Sequence, residues 1–207
     1  MSKDIIVALI GKSGAGKTTI AKEMEKQGYN VIHSYTTRPA RIKNEWGHIF
    51  IENYKEIDYD ESTEDCVVFT QYGIPQSVLK SDLIAYTNIY GRHYFATKQQ
   101  YKGLGITFYP IDPKGVDNLK NIITDDEIIS IYLNADHEVL FERLFERVQT
   151  DLDFSIDDLE ERIDKDYKEF DVISCDYVIN STDENIQDTV DKILNIISKH
   201  KGGIKNE

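Results

Sequence analysis

Residues 11–18 read Gly-Lys-Ser-Gly-Ala-Gly-Lys-Thr, and an almost unbroken apolar run, residues 4–10 (DIIVALI), stands directly before them. This is the pattern G-x-x-x-x-G-K-[ST] with no mismatch, placed where it needs a strand in front and a helix behind. A continuous apolar run suits a strand buried on both faces of a parallel sheet. The spacing then predicts a helix over 17–27, stopped by Gly28, and a second strand at 31–32. Strand, glycine loop, helix and strand in that order open an α/β fold. Glycines let backbone N–H groups converge on phosphate oxygens, and the helix N-terminus adds its positive dipole end. The triphosphate-binding set is therefore Gly11, Lys12, Ser13, Gly14, Ala15, Gly16, Lys17, Thr18 and Thr19. Lys17 reaches for the β and γ phosphates, and the Thr18 hydroxyl binds Mg²⁺.

The alternation resumes in the second half. Strands are predicted at 105–111, 128–133 and 177–179, with helices from Pro113, over 137–148, over 155–170 and from 181 toward 198. Ser155 with Asp158, and Ser181 with Glu184, have the spacing of capping boxes. Residues 34–98 are Tyr-rich and polar with no βα unit, so they read as an inserted subdomain. Residues 148–156 are acidic and lie between two helices, as a mobile cover would. The expected architecture is a three-layer α/β phosphate-loop fold with a parallel sheet. Its core is 1–33, 99–147 and 163–207, its acceptor-binding insertion 34–98 and its lid 148–162.

Charge narrows the partners. Asp plus Glu number 37 against 24 Lys plus Arg, a net −13. Nucleic acid and anionic membrane call for a basic face and are excluded as expected partners. No apolar run approaches the ~18 residues of a membrane span. The N-terminus has no signal-peptide pattern, and two cysteines make no disulfide framework, so a cytoplasmic protein is expected. Arginine is scarce: Arg38, Arg41, Arg92, Arg143, Arg147 and Arg162 are the full set. Scarce arginine suits forked recognition of phosphate or carboxylate.

A phosphate loop alone does not separate a kinase from a GTPase switch. A switch finds weak support in Asp112-Pro113-Lys114-Gly115 and in Asn180-Ser181-Thr182-Asp183, where Ser181 replaces the lysine that would cover a guanine. A kinase finds more in Ser34-Tyr35-Thr36-Thr37-Arg38-Pro39-Ala40-Arg41, a second anion site at the end of a strand, where α/β proteins place ligands. This S-x-T-T-R-x-x-R run after a phosphate loop resembles guanylate kinase. So do residues 90–97 (YGRHYFAT), 111–116 (IDPKGV), Arg143-Leu144-Phe145-Glu146-Arg147 and Val178-Ile179-Asn180. The resemblance covers about 4–199 and is weakest at 52–82.

The resemblance implies Mg²⁺-ATP as donor and GMP or dGMP as acceptor. It implies catalytic roles for Lys17, Arg143, Arg147 and Arg162, and an adenine-side role for Asn180. The acceptor set is Ser34, Thr37, Arg38, Arg41, His48, Tyr94, Thr97 and Asp112. Asp112 also has a metal-side role beside Thr18, with the N-cap before Pro113 as its alternative. Arg143 and Arg147, four apart on one helix, are neighbours suited to an anion, with pairing to Glu146 or Asp151 as their alternative. Three positions depart from the family. The guanine-reading Glu falls on Ala85, His48 stands where a phosphate-binding Tyr is expected, and Pro110 replaces an acid. A kinase of another (deoxy)nucleotide or a phosphorylated sugar remains open, as does a non-catalytic guanylate-kinase-like interaction module. The assembly is expected to be a monomer or homodimer.

Overall fold

The apolar run forms β1 (Ile5–Ile10), every residue of it buried. The structure is a computed structural model describing residues 3–57, 65–89, 91–150, 163, 166, 170, 174–182 and 185–202. After the glycine loop, α1 (Lys17–Lys26) buries Ile20, Ala21 and Met24 along one face. Gly28, at φ 90°, ends it in the left-handed region that suits glycine. Next come β2 (Asn30–Val31), β3 (Ser34–Thr36), β4 (His48–Phe50), β5 (Glu52–Ile57), β6 (Cys66–Gln71), β7 (Ile74–Leu79), β8 (Leu83–Ile89) and β9 (Arg92–Thr97). The chain then alternates through β10 (Ile106–Pro110), α2 (Pro113–Ile122), β11 (Glu127–Asn134), α3 (His137–Thr150), β12 (Tyr177–Asn180) and α4 (Ile186–Gly202). The fold is mixed α/β around a five-stranded parallel sheet ordered β12-β11-β1-β10-β2. Among the described residues, no helix is long and apolar enough to cross a membrane.

The chain folds as two compact units, residues 1–8 with 30–129 and residues 9–29 with 130–207. In the first unit, residues 34–97 form two all-β layers. One sheet is ordered β4-β3-β9-β8, with β3 and β4 parallel and the other pairs antiparallel. The other is the meander β5-β6-β7. Ile51, Val67, Phe69 and Phe95 form a buried cluster, with Tyr35, Ile49, Tyr54, Val78, Leu83 and Tyr86 packed on it. Strand side chains alternate in direction, so the register sorts the first sheet's faces. Tyr35, Ile49 and Phe95 pair across it and point into the cluster. The next row, Phe50–Thr36–Tyr94–Thr87, runs across all four strands on the opposite face.

α2 starts as the sequence expects. Pro113 occupies its first turn and the Asp112 carboxylate accepts from Gly115 N–H at 2.8 Å. The last helix starts later than the Ser181–Glu184 box predicts. Asn185 caps it, accepting from Asp188 N–H at 2.9 Å. Ser181 instead ties β12 to β11, its N–H and its hydroxyl both donating to the Asn134 carbonyl at 2.7 and 3.1 Å. The helix predicted over 155–170 lies mostly outside the described residues, where Ile163 and Asp166 are helical.

Candidate functional site

The second unit holds the phosphate loop. A Cβ on Gly11 would stand 2.7 Å from the Leu133 carbonyl oxygen, so only glycine lets the loop leave β1 this close to β11. Gly16, at φ 91°, sits at the N-cap of α1. The Lys17 ammonium folds back onto the loop and donates to the carbonyls of Gly11 and Lys12. Thr18 and Thr19 are on the first turn of α1, which carries no acidic residue. Nothing in that turn opposes a bound phosphate. The Ser13 N–H donates to the Asp166 carboxylate at 2.5 Å. This loop N–H thus takes an anionic oxygen, the chemistry a phosphate asks of it.

Arg143 braces the loop from α3, donating to the Gly14 carbonyl at 3.1 Å and to the Ser181 carbonyl at 3.3 Å. The side chain of Arg147, residue Arg162 and most of the expected lid at 148–162 lie outside what the structure describes. Asn180 closes a turn after β12, its Oδ1 accepting from Thr182 N–H at 3.0 Å. Ser181, at the lysine position of a guanine motif, is buried and occupied with Asn134 and gives the GTPase alternative no support. A small cleft opens beside the loop, lined among others by Lys12, Ser13, His137, Phe141 and Asp166.

Among the described residues, no group of three or more His, Cys, Asp or Glu could hold a metal ion by itself. Mg²⁺ usually takes one or two protein oxygens and completes its shell with phosphates and water. The Thr18 hydroxyl at the loop's end fits that role. Asp112 belongs to the first unit, where one carboxylate oxygen caps α2.

The first unit carries the expected acceptor residues. Arg38 is 3% exposed, and its guanidinium forms a fork with Glu45 at 2.7 and 3.1 Å while lying over the Phe50 ring. Glu45 also accepts from the Arg41 N–H at 2.7 Å. Burial alone would raise the Glu45 carboxyl, but its bonds to Arg38 and Arg41 and both guanidinium charges bring it down to about 2. One carboxylate thus shapes the whole Arg38–Arg41 turn. His48 is pushed down to about 4, first by burial and then by the charges of Arg38 and Arg41. It is neutral at pH 7. Its ring bonds to the Ser34 backbone, and its buried Nδ1 has no hydrogen-bond partner.

Several expected acceptor residues have partners within the fold. The Ser34 hydroxyl shares a 3.0 Å hydrogen bond with the buried Tyr109 hydroxyl. Thr37 accepts from His93 N–H at 2.9 Å and fixes the start of β9. Thr97 is buried and caps the short turn 98–100 through a reciprocal box with Gln100. Tyr94 faces the His48 ring at a centroid distance of 6.0 Å. Ala85 sits at a register shift in β8 with φ 54°, and is 3% exposed. Sequence reasoning missed two contributors: Glu45, which holds both arginines, and Asp166, which meets the loop. Thr87, which the sequence offers beside position 85 as a hydroxyl able to meet a base, is buried with its hydroxyl unpartnered. The Glu45 role had a local signal, a lone acid close behind two arginines. The Asp166 contact depends on a pairing remote in sequence.

No protein-family model matches the chain, and no curated protein matches it by sequence. Solved structures do resemble it. A guanylate kinase from Anaplasma phagocytophilum aligns over 97% of this chain and 87% of its own, at 18% identity and a TM-score of 0.57. The structure titled APE1195 aligns over 96% of this chain and 97% of its own, at 15% identity and a TM-score of 0.47. At such identity the first likeness shows the fold alone, a guanylate-kinase-like α/β fold.

Proposed function

We propose that the chain transfers the γ-phosphoryl group of Mg²⁺-ATP to the phosphate of a nucleoside monophosphate, with GMP or dGMP the first candidates. The observation that carries this reading is that a chain of guanylate-kinase-like fold has both a loop whose N–H takes an anionic oxygen and a separate turn whose two arginines gather on a carboxylate. In the reaction the bond between the γ-phosphorus and its bridging oxygen breaks, and a bond to an acceptor phosphate oxygen forms. Loop N–H groups and Lys17 hold the donor phosphates. The Thr18 hydroxyl would hold Mg²⁺ together with the phosphates, and the ion would supply neutralising charge to the transferring group. Arg143, Arg147 and Arg162 add positive charge where the transition state spreads negative charge. Arg41, beside the Arg38–Glu45 fork, is best suited to the acceptor phosphate. Residues 34–98 serve as the acceptor-binding region and 148–162 as the lid.

A kinase of the same fold acting on another acceptor is the second reading. Ala85 favours it, because a buried methyl group at a left-handed position offers nothing to a guanine edge. The test is ADP release from ATP with a panel of mononucleotides and sugar phosphates, with GTP hydrolysis as a control. Turnover with a mononucleotide supports the first reading. Turnover with a sugar phosphate alone moves the assignment to the second. ATP binding without turnover on any acceptor overturns the enzyme reading in favour of an interaction module.

A further inference from the structure

Two buried side-chain polar atoms among the described residues have no hydrogen-bond partner: His48 Nδ1 and Thr87 Oγ1. Such atoms are rare in folded proteins because each loses its water and gains nothing in return. Both belong to one surface. Ser34 pairs with His48, Thr36 with Phe50 and with Tyr94, and Tyr94 with Thr87, so all six residues face away from the aromatic cluster. Tyr94 lies between the two unpaired atoms, opposite Thr87 in register and facing the His48 ring.

The two ends of this surface differ in chemistry. Beside His48 stand the guanidinium groups of Arg38 and Arg41, which suit an anion. Thr87 lines an open cavity of about 320 Å³ together with Ile89, Lys114, Asp117 and Asn118. Asn118 donates to the Tyr86 carbonyl at 2.7 Å and so ties α2 to β8 at this cavity. The lining offers an apolar wall in Ile89, a cation in Lys114 and an anion in Asp117, and Thr87 brings a buried, unpaired hydroxyl to its edge that can donate or accept. A flat heterocycle with donors and acceptors on its edge answers all of these; a bare sugar phosphate lacks the flat apolar face and the edge.

We propose that Thr87 reads the base of the acceptor, which lies in the β8–α2 cavity while the acceptor phosphate lies toward Arg41 and His48. This deepens the nucleotide-kinase reading and rests on it. It moves base recognition away from position 85, where the side chain is buried at a bend of β8, to a nearby residue with an unused polar atom. A hydroxyl donates and accepts equally well, so selectivity among bases is shallower than a carboxylate would give.

Calorimetric binding of GMP, dGMP, AMP, dTMP and ribose 5-phosphate to the unmutated protein and to Thr87→Val tests this. Valine keeps the shape and removes the hydroxyl. The best-bound mononucleotide should weaken by about fivefold, the scale of one lost neutral hydrogen bond. Ribose 5-phosphate should stay within about twofold, well below that loss. The melting temperature should hold or rise, since an unpaired buried hydroxyl has gone. Thr87→Ser should restore the affinity. Unchanged mononucleotide affinity, or an equal loss for ribose 5-phosphate, overturns the assignment of Thr87 and leaves the kinase reading standing. An unmutated protein that binds no mononucleotide overturns both. Should Thr87→Val not fold, Thr87→Ala, which also removes the hydroxyl, takes its place, with the same expected and overturning affinities.

Discussion

At the scale of single residues, Glu45 organises the Arg38–Arg41 turn. Its carboxyl is held at about 2, against an ordinary 4.5, so its stabilising contribution is complete above about pH 4.5 and fades as pH falls toward 2. Glu45→Gln should therefore flatten the pH dependence of urea unfolding within that window, while a slope like that of the unmutated protein would assign the acid sensitivity elsewhere. In the proposed reaction Arg41 meets the acceptor phosphate. Arg41→Lys should raise the acceptor KM and leave the ATP KM in place, because a point charge does not reproduce the fork. A change confined to the ATP KM would take the acceptor phosphate away from this turn. On the donor side, Lys17→Ala should lower kcat by at least ~10²-fold with no loss of melting temperature. Turnover close to that of the unmutated protein would remove the donor role from the loop.

Between residue and molecule, two elements bear on function through their geometry. β8 is interrupted where Ala85 takes a left-handed φ, which costs a residue with a Cβ on the order of 1 kcal/mol. A Glu at this position would meet both burial and backbone strain, so base recognition by a carboxylate here conflicts with the path of the strand. The second element is the segment carrying Asp166, whose carboxylate sits on the Ser13 N–H of the phosphate loop. A bound phosphate would meet this carboxylate as a like charge competing for the same donor. Asp166→Ala should thus tighten ATP binding a few-fold in calorimetry, and weaker binding would show that the carboxylate instead holds the loop in shape.

Across the whole molecule, an excess of 13 negative charges sets a field that favours dispersal over compaction. Moderate NaCl weakens that repulsion together with the exposed ion pairs, because both act through the same screened field. The alternation of strands and helices was legible along the sequence because each element carries its own period. β1, α1, β10, β11 and α3 lie within a few residues of where pattern alone puts them. Residues 34–98 were legible only as an exception to that pattern. Their first sheet sets β9, remote in sequence, directly beside β3, so the pairing has no local trace.

The sequence by itself determined the glycine loop, the strand and helix that frame it, and the presence of a two-arginine turn, which follows β3. These rest on contiguous residues whose chemistry needs no distant partner. Tertiary structure alone decided what those residues do with their polar atoms. It set Glu45 into the Arg38 fork, Asp166 onto the loop, Thr97 and Asp112 into caps, and Thr87 beside an open cavity with its hydroxyl unpaired. A side chain's partner depends on which strands and helices arrive beside it, and sheet register settles that across tens of residues. Sequence spacing therefore names the groups able to bind phosphate or base, while packing determines which of them are already occupied within the fold.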